Sequence, residues 1–144
     1  MSSEITWYLA GPMSGRPQFN LPLFNHVAAD LRNQGYSIIS PAELDDPEVT
    51  AACLASKDGC ATEQMKQLNR TWGDFLSRDV KIVADRVKGI VFLPGWESSR
   101  GARLEAFVGL ECGHQFQLAF WDATEHRFAT MPLSATDVRE RLPR

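Results

Sequence analysis

Glu105 closes the stretch Leu93-Pro94-Gly95-Trp96-Glu97-Ser98-Ser99-Arg100-Gly101-Ala102-Arg103-Leu104-Glu105, whose residue types suit chemistry at a sheet edge. A hydrophobic run ends in a Pro-Gly turn, a polar loop follows, and a helical pattern then carries a carboxylate in its early turns. Such a carboxylate is a candidate nucleophile or general base. The backbone N–H groups of the loop and helix start can hold an anion such as phosphate. Ser98, Ser99 and Gly101 make a small flexible loop of the kind that binds phosphate in many folds and forms an ordinary turn in more. The plainer reading of Glu105 is a solvated helix glutamate, the usual fate of that residue. Its neighbours Leu104 and Ala106, on a helix of mainly small or apolar positions, favour partial burial instead.

Two further residues offer chemistry only in company. Asp79, in Ser77-Arg78-Asp79-Val80, reads by itself as a surface carboxylate paired with Arg78 or Lys81. Tyr8 lies on an apolar run next to a glycine loop, where a tyrosine is ordinarily core with its hydroxyl satisfied. Trp96, directly after a turn, is expected to be exposed; it can stack on a base or sugar, or simply cover the sheet edge.

Cys53 and Cys60 lack a nearby His pair and make a poor zinc signal. His26 and His114 are placed on helices and His126 in a loop, without ligand spacing, so no metal is assigned. Three cysteines without a secretory signal point to reduced thiols and a cytoplasmic protein. The N-terminus has neither the basic nor the apolar region of a signal peptide. No run approaches the ~20 apolar residues of a membrane span. The net charge of −3 gives no basic footprint for duplex nucleic acid. Small anionic ligands remain open, because they need only a local patch.

A length of 144 residues suits one domain with a real core. Ile5 to Ala10 is apolar on both parities and reads as a buried strand. The loop from Gly11 to Pro17 precedes a helix capped at Asn20, with Phe24, Val27, Ala28 and Leu31 as its apolar stripe and Gly35 as its stop. Tyr36 to Ser40 is the second strand, so the first unit is βαβ and its strands are parallel. The segment at about 43–71 is an excursion with a short helix or two. Trp72 to Arg86 reads as a helix with Trp72, Phe75, Leu76, Val80, Val83 and Ala84 on one broad face. Gly89 to Leu93 is the third strand, Gly101 to Gly113 a helix, and Phe116 to Trp121 the fourth strand. Ser134 begins a short charged helix at the C-terminal end. Ala102, Ala106, Gly109 and Gly113 put small residues along one helix side, suited to close packing on a sheet or on a partner helix.

Four blocks occur in order: Tyr8-Leu9-Ala10-Gly11-Pro12-Met13-Ser14-Gly15, Ser40-Pro41-Ala42-Glu43, Arg78-Asp79, and Leu93 through Glu105. Together they resemble a family of phage and prophage proteins known as DUF4406. That family in turn is similar to the nucleoside 2-deoxyribosyltransferases and the 2′-deoxynucleoside 5′-monophosphate N-glycosidases. Pattern and resemblance together imply a single α/β domain. Its expected form is Rossmann-like (flavodoxin-like), a mostly parallel sheet of four to five strands flanked by helices.

The resemblance implies roles. Glu105, in Ser99-x-Gly101-x-x-x-Glu105, would attack the anomeric carbon and form a glycosyl-enzyme intermediate. Asp79 would protonate or hold the departing base, and Tyr8 would orient Glu105. Serine at position 99, where the transferases tend to have Asp, favours a 5′-phosphate. Gly11, Ser14, Gly15 and Arg16 in the first loop join Trp96, Ser98, Ser99 and Gly101 as substrate-binding candidates. Where the hydrolases carry Ser and Arg for phosphate, this chain has Pro12 and Ser14; Arg16, Ser98, Arg100 and Arg103 are the substitutes. Relatives complete the site from a neighbouring subunit near the C-terminus, which marks Ser134 and implies a homodimer or higher homo-oligomer. The small-residue helix side is a candidate contact for it.

The expected activity is an N-glycosidase acting on a (deoxy)nucleoside 5′-monophosphate, with no cofactor and a small-molecule nucleotide or nucleoside as its only ligand. The alternatives are a nucleoside 2-deoxyribosyltransferase, a non-catalytic nucleotide-binding or sequestering module, and an NAD-directed glycohydrolase or cyclic-nucleotide binder.

Overall fold

A computed structural model describes residues 4–143. Its centre is a five-stranded sheet in the order β2-β1-β3-β4-β5. The strands are β1 (Thr6–Ala10), β2 (Ser37–Ile39), β3 (Gly89–Phe92), β4 (Gln115–Asp122) and β5 (Arg127–Leu133). β2, β1, β3 and β4 run parallel, and β4 and β5 form one antiparallel pair. The architecture is mixed α/β, with six helices flanking the sheet: α1 (Leu21–Asn33), α2 (Pro47–Ala55), α3 (Ala61–Leu68), α4 (Trp72–Asp85), α5 (Arg100–Glu111) and α6 (Ala135–Arg141).

β1 is apolar on both parities because both its faces are covered. Trp7 and Leu9 pack with Val91 and Leu93 against α1, through Phe24, Val27 and Leu31. Tyr8 and Ala10 point the other way, with Ile90 and Phe92, toward Ile82 and Val83 of α4, Ala106 of α5 and Val138 of α6. The chain therefore leaves β1 for one face and β3 for the other. Their carboxyl ends lie side by side at this parting of the connections, where an open α/β sheet leaves a crevice.

The small side of α5 settles onto the sheet. A Cβ on Gly109 would lie 2.7 Å from Ile90 Cδ1, and Ala102 and Ala106 are buried. That side is spent within the chain, which rules it out as the expected contact between copies. The residues α5 turns outward are large: Leu104 and Phe107 are exposed.

Three other expectations change. The sheet was expected to hold four to five strands, but no segment was assigned to the fifth; β5 supplies it, and His126 lies in the turn before it, as expected. β5 is an edge strand, and Pro132 is tolerated in it because only one side needs ladder hydrogen bonds. Asn20 does precede α1, but its backbone is left-handed and its side chain donates to Pro12 O at 2.8 Å instead of capping the helix. His114 lies between α5 and β4, not on a helix; it is buried, with Nε2 2.6 Å from Val83 O.

The excursion folds as α2 and α3, and its turn is stitched to the first loop. Gly15 N–H donates to Gly59 O at 2.7 Å, and Gln18 N–H donates to Ser56 O at 2.8 Å. Gly59 has φ +65°, and a Cβ there would stand 2.1 Å from Arg16 O. Neither backbone has room to yield. Gly59→Ala is therefore expected to lower stability by roughly 1–3 kcal/mol. Urea denaturation measures it, and an unchanged midpoint would mean the two turns separate freely.

Candidate functional site

A cavity of about 530 Å³ opens at the carboxyl ends of β1 and β3, a volume in the range of small-molecule sites. The sheet edge and the start of α5 form one side. α2, α3 and the first half of α4 form the other.

Its polar end begins on β1. The Tyr8 hydroxyl, completely buried, donates to Glu105 Oε2 at 2.8 Å across 97 residues of sequence. Glu105 itself is 6% exposed. It occupies the inward stripe of α5 between Ala102 and Gly109, where only a helix lying close on the sheet could bring a side chain so near β1. Asp79 comes from α4. Phe75 and Leu76 lie one turn before it and Ile82 and Val83 one turn after, so it stands on the inward face of its helix. Arg78 Nε donates to Asp79 Oδ1 at 2.9 Å, and Arg78 Nη1 donates to Asp45 Oδ1. Glu105, Asp79, Arg78, Asp45 and Tyr8 all line the cavity.

Burial sets the protonation of this cluster. It pushes the Glu105 carboxyl up to about 8, and the neighbouring Asp79 charge adds to the rise; the Tyr8 hydrogen bond and Arg78 oppose it. Burial also raises Asp79, while Arg78 pulls it back toward the charged form. The Tyr8 hydroxyl is held well above its ordinary value, first by burial and then by the two carboxylates. Burial alone would lower Arg78; the charges of Asp79 and Asp45 reverse that and raise it. Burial and the neighbouring Asp79 charge thus favour the neutral form of Glu105, while Arg78 favours the charged form of Asp79.

The second polar feature is the N-terminus of α5. Ser99 caps it, accepting the Ala102 N–H at 3.2 Å. Ser98, Ser99, Arg100 and Gly101 face the cavity, and the Arg100 guanidinium lies 4.9 Å from the Trp72 ring centre. From the first loop, Gly11, Ser14 and Arg16 line the same space. Gly11 is there because a Cβ would meet Leu93 Cβ at 2.8 Å, so only glycine lets the loop lie against the end of β3.

Four candidates fall outside this cavity. Trp96 is fully buried, not exposed: its ring stacks on Phe92 with centroids 4.1 Å apart, in the core beneath α5. A ring enclosed on that face has no surface to offer a base. Gly15 is exposed, and its N–H is taken by Gly59 O. Ser134 caps α6 in a capping box with Asp137, away from the cavity, so any part it plays requires a second copy of the chain. Arg103 is likewise turned away, donating to Glu97 O at 3.0 Å.

Sequence reasoning treated Arg78 only as a surface partner of Asp79 and passed over Asp45 and Gln64. The signal was available at Asp79, whose position inside an apolar stripe is odd for a surface carboxylate. Asp45 was hidden in the excursion, whose composition shows no clear period. Among the described residues no three His, Cys, Asp or Glu side chains gather to hold a metal ion. Cys53, Cys60 and Cys112 are unbonded, and burial pushes the Cys53 thiol up to about 11. No described helix is long and apolar enough to cross a membrane.

The chain belongs to the DUF4406 family. The model of that family, described as a domain of unknown function, matches residues 5–117. The match takes in β1 through the start of β4, and with them every side chain of the polar cluster. None of the curated proteins matches the chain.

The raised carboxyl has a measurable consequence. In the unfolded chain Glu105 titrates near ~4.3, against about 8 in the fold. The extra cost of burying its charged form is absent below the unfolded value and grows as pH rises toward 8. Glu105→Gln keeps the shape and the Tyr8 contact without the charge. It should match wild-type stability below pH ~4 and exceed it above pH 8 by on the order of a few kcal/mol. Urea unfolding across that range tests this, and parallel curves would refute the burial of an ionisable group.

Proposed function

We propose that this protein is an N-glycosidase that cleaves the base–sugar bond of a (deoxy)nucleoside 5′-monophosphate through Glu105. The observation that carries the reading is the neighbouring carboxyl groups of buried Glu105 and half-buried Asp79, held by Tyr8 and Arg78 at one end of a nucleotide-sized cavity. Two carboxyl groups with different surroundings supply both a nucleophile and an acid, which glycoside cleavage requires. Support also comes from the sheet order, 2-1-3-4-5, which is that of flavodoxin-like folds with a ligand at the β1/β3 parting. The resemblance of the sequence blocks to deoxyribosyltransferases and nucleotide N-glycosidases points the same way.

In this reading the phosphate sits at the α5 N-terminus. The Ser99 oxygen already accepts a backbone N–H, so its hydroxyl proton is available to a phosphate oxygen. Arg16 and Arg100 also line the cavity. With the sugar over Glu105, the positive charge growing on the ring stabilises the Glu105 carboxylate, and the proton of the pair passes to Asp79. Asp79 then protonates the base nitrogen as the C1′–N bond breaks and the C1′–O bond to Glu105 forms. Water attacks C1′ next, gives its proton to Asp79 and frees Glu105. The pair returns to one proton. If a second base takes the place of water, the same steps make the protein a transferase.

Chromatographic product analysis tests the proposal. Deoxynucleoside and ribonucleoside monophosphates, nucleosides and NAD would be supplied with and without a free second base. Wild type should release base from a monophosphate, Glu105→Ala should not, and Asp79→Asn should lose roughly 10²–10⁴-fold in rate. The pH profile of kcat/KM should be bell-shaped, with its alkaline limb near 8, where the pair loses its remaining proton. Ligand bound equally by wild type and Glu105→Ala, with nothing cleaved, would make the protein a binding module instead.

A further inference from the structure

The wall built by α2, α3 and α4 carries a polar side chain that neither the fold nor the catalytic pair uses. The inward stripe of α3 is Ala61, Gln64, Met65 and Leu68, at the spacing of one helix face. Three of these are apolar, as a stripe packed inward should be. The fourth is a carboxamide, 9% exposed, in the cavity lining. Its Nε2 has no hydrogen-bond partner among the described residues. A buried donor left unpaired opposes folding, and an apolar residue of the same size would relieve it. The cavity surface around it is otherwise suited to a flat apolar body, with Val49, Met65, Trp72 and Phe75 on the same side.

We infer that Gln64 is the residue that reads the heterocyclic base, its amide donating to an acceptor atom on the base edge while the surrounding apolar wall covers the ring. The inference deepens the nucleotide reading given above and rests on it. A nucleobase fits this wall because it combines a planar apolar body with carbonyl or ring-nitrogen acceptors in its plane. A sugar phosphate has no such edge, so Gln64 should not affect its binding.

The test separates base from sugar phosphate. Glu105→Gln would serve as a non-cleaving background, with Gln64→Met added to it; methionine keeps the length and lacks the amide. Calorimetric titration would use the 5′-monophosphates of deoxyadenosine, deoxyguanosine, deoxycytidine, thymidine, deoxyuridine and deoxyinosine, and 2-deoxyribose 5-phosphate as the base-free probe. Gln64→Met should weaken the best-bound monophosphate ~10-fold or more and leave 2-deoxyribose 5-phosphate unchanged. It should also raise the melting temperature, which a merely structural glutamine would not do. Equal binding by both proteins, or equal weakening of nucleotide and sugar phosphate, would overturn the inference while leaving the nucleotide reading intact. Background protein that binds none of the monophosphates would overturn both. Should Gln64→Met fail to fold, Gln64→Leu is the second variant; collapse of both would show the amide to be structural and end the proposal.

Discussion

A carboxyl group buried in a protein must be neutral, paired or hydrogen-bonded, and Glu105 relies on the neutral form and on a hydrogen bond. Its oxygen takes the Tyr8 hydroxyl, its charge is opposed by Asp79, and its surroundings exclude water. Much of the fold serves to make this arrangement possible. β1 must be buried on both faces for Tyr8 to lie away from water. α5 must lie close enough for Glu105 to reach it, which is why Ala102, Ala106 and Gly109 carry so little side chain. Arg78 must be present to keep Asp79 charged, and its second partner, Asp45, ties the excursion to the same electrostatic group.

One design recurs on three helices. α3, α4 and α5 each show an inward apolar stripe interrupted by one polar residue: Gln64, Asp79 and Glu105. All three interruptions line the same cavity. Placed on a surface, each residue would cost nothing and do nothing. Inside an apolar stripe each opposes folding unless it is paired or neutral. Natural proteins break local rules in this way where function needs it.

The strands that build the sheet centre were legible because burial on both faces leaves continuous apolar runs, as at Ile5–Ala10 and Gly89–Leu93. β5 was not, since Pro132 and the exposed Met131 disguise an edge strand. Glu105 was legible from the small residues around it. Asp79 was recognisable through resemblance, although its stripe position was evidence of its own. Trp96 misled because a tryptophan after a Pro-Gly turn looks exposed, and nothing local reveals that Phe92 lies under its ring. Asp45 and Gln64 belong to a segment whose helices make sense only once the cavity they enclose is seen.

The way the excursion is attached divides the molecule's labour along its chain. Its turn is joined to the first loop by backbone hydrogen bonds from Gly15 and Gln18, contacts that make little demand on side-chain identity. The carboxyl groups of Glu105 and Asp79 sit elsewhere, on helices packed against the sheet. Residues 46–70 hold neither Glu105 nor Asp79, and they meet the rest of the chain through Val49, Cys53 and Ala61 as well as through these backbone bonds. A chain arranged like this keeps α2 and α3, which wall the cavity, apart in sequence from the two helices that carry its buried carboxyl cluster.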